Sequence, residues 1–278
     1  MDLTMLLEHR LYALTGAAYA TAFVFYSLAW RSTKEFIART GTVLMACALF
    51  GNLWLIVARW ISADRPPFKS LFETLIFLAF CAAAVYLVME VLLKTRVFGA
   101  IVALGAFLAL VLGVARWDAE LVKLPPALQS AWFVPHVMVY FFGYAALFFA
   151  TAVSVVQLFK PTFKIQAGTI LKGAISLEDV AYMAIKFGFV LLTFGLLVGA
   201  IWAKGAWGDY WVWDPKENWS LVTWLVYAAY LHLRHIKNWR GNRAAWLAII
   251  GFAVVMFTYL GMSMLPTAAE SAHVYQSS

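Results

Sequence analysis

Residues 202–224 read WAKGAWGDYWVWDPKENWSLVTW, and six of the chain's 13 tryptophans fall within them. An indole pairs a large flat ring with a single N–H, so it settles at membrane–water boundaries or stacks on flat ligands. The segment closes on Asp214-Pro215-Lys216-Glu217, followed by an apolar run. Asp at the cap, Pro at the first helical position and Glu three residues after the cap form a helix start. The spacing therefore predicts indoles on an irregular stretch just outside the mouth of a helix.

Outward from that stretch the chain is apolar. It is 64% hydrophobic and 13% charged, with mean hydropathy +0.81; soluble domains run near ~45–50% and ~25%. A helical span needs about 20 apolar residues. Eight runs meet that length: 11–30, 41–61, 72–93, 97–115, 131–157, 187–204, 219–236 and 245–264. Backbone in lipid must satisfy its own hydrogen bonds, so the runs are read as helices. The expected fold is an all-α integral membrane protein, a bundle of about eight transmembrane helices with a Trp-rich outer loop segment, forming one polytopic domain over 1–278. Residues 1–10 lack a basic n-region, and the run after them is span-length, so it reads as a span and not a cleaved signal.

Net charge is +7, but the charges fall in short clusters between spans and form no patch for nucleic acid. The connections after spans one, three, five and seven carry 13 of the 21 Lys and Arg and a net +9, against −2 for the other side. The positive-inside rule makes the first side cytoplasmic and puts both termini and the Trp-rich stretch outside. The expected location is a bacterial inner (cytoplasmic) membrane, or a thylakoid membrane in a plastid. Pro66-Pro67 and Pro125-Pro126 mark outer loops at 62–71 and 116–130. Ser176-Leu177-Glu178-Asp179 resembles a capping box, so a helix is expected to begin there and run into span six. Cys47 and Cys81 lie inside apolar runs and read as buried thiols.

Five histidines are present. His9 falls at the outer end of span one and His235 in the basic inner loop, and both read as solvated or interfacial. His136, in WFVPHV, opens span five; His273, in AESAHVY, follows span eight; His232 lies toward the inner end of span seven. Taken singly, each is equally a histidine hydrogen-bonded to a backbone carbonyl. An ionisable group in a span is costly unless it faces a cavity or a partner. His136 and His273 share the side of the Trp-rich stretch, and two imidazoles flanking indoles suit a bis-His site for haem iron. His232, about 20 Å away by helical rise, cannot ligate the same iron. It either bonds within the bundle or binds haem in transit with a second histidine from a partner. Zinc prefers three or four ligands, commonly at short spacing, which the sequence lacks. Asp214 reads first as an N-cap, with a ligand contact able to coexist, and Glu217 as its reciprocal cap.

WGDYWVWDPKE at 207–217 resembles the WWD signature of the haem-handling proteins of cytochrome c maturation. Together with PPFKSLFETLIF at 66–77 and YLHLR at 230–234, it is similar to the CcsA (ResC) branch of system II. The resemblance covers most of the chain. It implies a membrane subunit that carries haem b (iron protoporphyrin IX) to the outer face. There it would present haem for covalent attachment to CxxCH apocytochrome c, as the haem-presenting part of a synthase, or haem lyase, complex with a CcsB (ResB) subunit. It also implies Trp207, Trp211, Trp213 and Asp214 around the porphyrin, His136 and His273 as outer axial ligands, and His232 at a transmembrane haem site. The approach to His273, LPTAAESAHVY, departs from the leucine- and glycine-rich tail the resemblance implies. A CcmC-type haem exporter, or a scaffold whose indoles form only an interfacial belt, are the alternatives.

Overall fold

The computed structural model describes residues 3–32, 34–115, 124–167 and 173–261. Eight α-helices occupy the eight apolar runs: α1 (Leu3–Ala29), α2 (Glu35–Ala63), α3 (Leu71–Leu93), α4 (Gly99–Val114), α5 (Phe133–Phe159), α6 (Leu177–Trp207), α7 (Pro215–Ile236) and α8 (Asn242–Met256). A π-helical turn, Phe257–Gly261, continues α8. The chain is an all-α, multi-pass membrane protein. Among the described residues, six helices are long and apolar enough to cross a membrane. Two depart from the uniform expectation. α4 has 16 residues, about 24 Å at 1.5 Å per residue, short of a ~30 Å hydrocarbon core. α7 has the length but carries Lys216, Glu217, His232, Arg234 and His235.

The chain divides into two compact units, each of four helices: residues 1–123 with 165–175, and 124–164 with 176–278. In the first, α1 packs on α2 and α4, and α3 on α2 and α4. Its core holds Tyr19, Tyr26, Phe72 and Tyr86, each fully buried. Aromatic residues with hydroxyls need partners there: Asn52 Nδ2 donates to Tyr19 OH (3.2 Å), and Tyr26 OH donates to Glu90 (2.8 Å). α3 opens on a capping box, with Ser70 accepting from Glu73 N and Glu73 from Ser70 N. The Glu73 carboxylate also accepts from Arg59 Nε (2.9 Å) and from Arg65 Nη1 and Nη2 (3.0 Å each), while Arg59 Nη1 reaches Glu8 (3.0 Å). This ionic knot joins α1, α2 and α3; Glu73, Arg59 and Arg65 are buried within it, and Glu8 is partly exposed.

In the second unit α6 packs along α5 and contacts α7 and α8, and α8 lies against α5 and α7. The helix start expected near Ser176 is present: Ser176 Oγ accepts from Asp179 N (3.1 Å) and opens α6. Arg234 near the end of α7 pairs with Glu178 and Asp179 on α6, and Glu178 accepts from Gly241 N (2.9 Å) at the start of α8. One charged residue thereby ties three helices at that end.

Residues 164–167 and 173–176 pair as a two-stranded ribbon, β1 and β2, in the connection between α5 and α6. One feature differs from expectation. Cys81 is buried, but Cys47 is exposed on the surface of α2. Membership of an apolar run does not fix which side of a helix a residue takes.

Candidate functional site

α6 does not stop before the tryptophans. Ala203-Lys204-Gly205-Ala206 contains no strong breaker, and the helix runs on to Trp207, ending where Gly208 takes the left-handed conformation (φ 93°). Trp207 is therefore helical, correcting the expectation of irregular chain beyond 204; Trp202, within the expected span, is helical too, and Trp219 and Trp224 ride on α7. Trp211 and Trp213 do lie on the irregular connection 208–214, with ring centroids 6.0 Å apart at 85°.

That connection ends as its sequence predicted. Asp214 is buried and accepts from Lys216 N (2.7 Å), while Glu217 accepts from Asp214 N (3.1 Å). Pro215 follows at the first helical position. Glu217 does more than cap, since it also accepts from Val212 N (2.9 Å). Its carboxylate grips the backbone on both sides of Trp213, and Asn218 Nδ2 donates to the Trp213 carbonyl (2.9 Å). Trp213 itself has φ of 60°, a strained state for a bulky residue that persists only when its surroundings enforce it. The result is an indole held outward, 68% exposed. The neighbouring Trp211 Nε1 is buried with no hydrogen-bond partner among the described residues.

This clamp separates two roles of Asp214. Asp214→Asn keeps the Oδ1 acceptor and should leave helix stability unchanged, whereas Asp214→Ala should cost about 1 kcal/mol, read as a lower thermal midpoint. Unequal ligand retention between wild type and Asn at equal protein level would show that the charge itself serves a ligand.

His136 sits in the first turns of α5, against α6. Its Nδ1 lies 3.0 Å from the Gly195 carbonyl. A carbonyl only accepts, so Nδ1 carries the proton and donates, which leaves the lone pair at Nε2. This is the arrangement that orients ligating histidines. Trp202 (5.4 Å between centroids) and Tyr140 (4.9 Å) wall the imidazole, and Trp202 meets Trp207 edge-on at 4.8 Å. Trp202 Nε1 donates to the Ala127 carbonyl (2.8 Å), which fixes its ring. The aromatic chain His136–Trp202–Trp207 ends at the last residue of α6, and the connection bearing Trp211 and Trp213 follows it in sequence. Trp202 was not among the expected site residues, although it stands in the same Trp-rich segment.

His232 is not part of this cluster. It lies on the exposed face of α7, about 27 Å along the helix from Asp214 by a rise of 1.5 Å per residue. His273 lies outside the described residues. Among the described residues, no three His, Cys, Asp or Glu side chains gather as a metal cluster.

A helical, multi-pass membrane protein with an aromatic, histidine-bearing helix end is the class these features define. Residues 68–268 match the family described as cytochrome C assembly protein, and the chain belongs to that family. It is 33% identical to the cytochrome c biogenesis protein CcsA of Gloeobacter violaceus over 94% of this chain and 95% of that one. It is 40% identical to CcsA of Chlamydomonas reinhardtii over 80% of this chain and 64% of that one. These relationships make it a CcsA-type protein of cytochrome c biogenesis. Among solved structures it superposes on the cytochrome c haem lyase CcmF with a TM-score of 0.72 at 16% identity, covering 93% of this chain. The chain spans 47% of that structure's length, and the likeness is one of fold.

Proposed function

We propose that this chain binds haem b and presents it at the outer membrane face for thioether attachment to a CxxCH apocytochrome c, together with a CcsB/ResB-type subunit. The carrying observation is His136: its Nδ1 proton is committed to the Gly195 carbonyl, and its basic Nε2 is therefore the one suited to iron. The residues present fit a porphyrin. Trp213 offers an exposed indole face, and Trp211 a buried N–H without a protein partner among the described residues. The exposed Trp213 would stack on the porphyrin and exclude water, with Glu217 and Asn218 holding it in place. His273, in the tail, is the proposed second outer ligand. Haem supplies the vinyl groups to which the apocytochrome thiols add; the chain contributes orientation more than acid–base chemistry.

His232 is proposed as a transit ligand. An imidazole exposed on a helix that enters lipid is costly without a partner, and a second histidine from the partner subunit would relieve that cost. The Lys and Arg asymmetry supports a cytoplasmic face for the connections after α1, α3, α5 and α7.

The absorption spectrum of the purified protein tests this reading, with an expected low-spin bis-His haem. A haem-free protein, with or without the partner, would leave the tryptophans as an interfacial belt and sink the proposal. His232→Ala, co-expressed with the partner, should leave the outer site empty but refillable by added haem. Normal haem content in that variant would remove the transit role.

A further inference from the structure

α6 carries Gly195-Leu196-Leu197-Val198-Gly199, a GxxxG spacing that in membrane helices usually lets two backbones approach. Here neither glycine is filled by backbone. A Cβ on Gly195 would lie 2.8 Å from the Tyr140 ring. A Cβ on Gly199 would lie 2.6 Å from Cε1 and 2.7 Å from Nδ1 of His136, yet 3.7 Å from Nε2. The imidazole is thus inserted by its Nδ1–Cε1 edge into the space a side chain at 199 would take.

We infer that this glycine pair is a socket that positions the His136 imidazole for a metal, with Gly195 and Gly199 as positioning residues. Each part has a separate task. The Gly195 carbonyl selects the tautomer. The missing side chain at Gly199 sets how deeply the ring seats, and so how far Nε2 projects. The Trp202 ring, anchored through Ala127, closes the other side. α6 supplies the Gly195 carbonyl, the Gly199 gap and Trp202 within two turns, so imidazole orientation is tied to the helix that leads into the Trp211–Trp213 connection.

The inference rests on the haem reading above, and its test keeps the two apart. In a His136→Gly background, free imidazole should enter the vacated socket and restore the low-spin spectrum. Adding Gly199→Ala should raise the imidazole concentration for half-recovery about ten- to hundredfold, the usual effect of removing an orienting partner from a metal-bound histidine. With the native ring gone, the new methyl has room, so the protein should fold; its thermal midpoint checks this. Gly188→Ala is the control. There a Cβ meets Leu147 at 2.8 Å on the same α5–α6 contact, so it should lower stability without changing the imidazole requirement. Equal requirements for Gly199→Ala and its parent, with recovery intact, would overturn the socket and leave the haem reading standing. A His136→Gly protein that keeps the wild-type spectrum without imidazole would remove His136 from the haem ligands, and the socket with it.

Discussion

Replacing Glu73 with alanine should destabilise the protein by about 3–5 kcal/mol, the cost of breaking a buried ion pair by removing one partner. The side chain of Glu73 is fully buried, and those of Arg59 and Arg65 are 2% and 5% exposed. Alanine takes the Glu73 carboxylate away from both Arg59 and Arg65, so positive charge stays where water has little access. It also removes the reciprocal cap of α3 and frees the Lys69 and Ser70 amides. Glu73→Gln keeps the shape and one acceptor oxygen, and should fall between wild type and alanine. Thermal unfolding in detergent reads the order; a Glu73→Ala midpoint equal to wild type would show that the knot contributes nothing to stability.

His136→Ala should abolish the low-spin haem species, with partial return on added imidazole. Only one ring nitrogen can serve, because the other is committed to Gly195. Stability should change far less than at Glu73, since the ring is only part-buried. Persistence of the low-spin bands in this variant would show that the outer ligands lie elsewhere.

Hydropathy read the eight helices because lipid forces long apolar runs to be helical, and local rules read both ends of the Asp214 cap. What failed was information carried between elements. The α3 capping box follows from Ser70 and Glu73, but the two arginines converging on Glu73 do not, since they depend on how α2 meets α3. The exit of α6 was placed too early because a concentration of indoles suggests irregular chain, although nothing before Gly208 breaks a helix. The short ribbon at 164–176 has four-residue strands, too brief for a periodic signal. His136 was named from the sequence, and three dimensions add its partner: the Gly195 carbonyl bond is the one expected of a purely structural histidine and also the one that would prepare the ring as a ligand. The GxxxG spacing was visible, yet it does not tell whether a backbone, a tyrosine or an imidazole fills the gap.

The weak apolarity of α7 bears on how the chain is assembled. A segment carrying His232, Arg234 and His235 near one end and Lys216 and Glu217 at the other partitions poorly into lipid by itself. Its acidic counter-ions, Glu178 and Asp179, belong to the preceding helix, and its neighbour α8 is synthesised after it. During biosynthesis α7 is therefore a passenger, retained in the bilayer by α6 already in place and secured when α8 arrives. The helix that opens beside the tryptophans is thus seated by α6 before it and α8 after it.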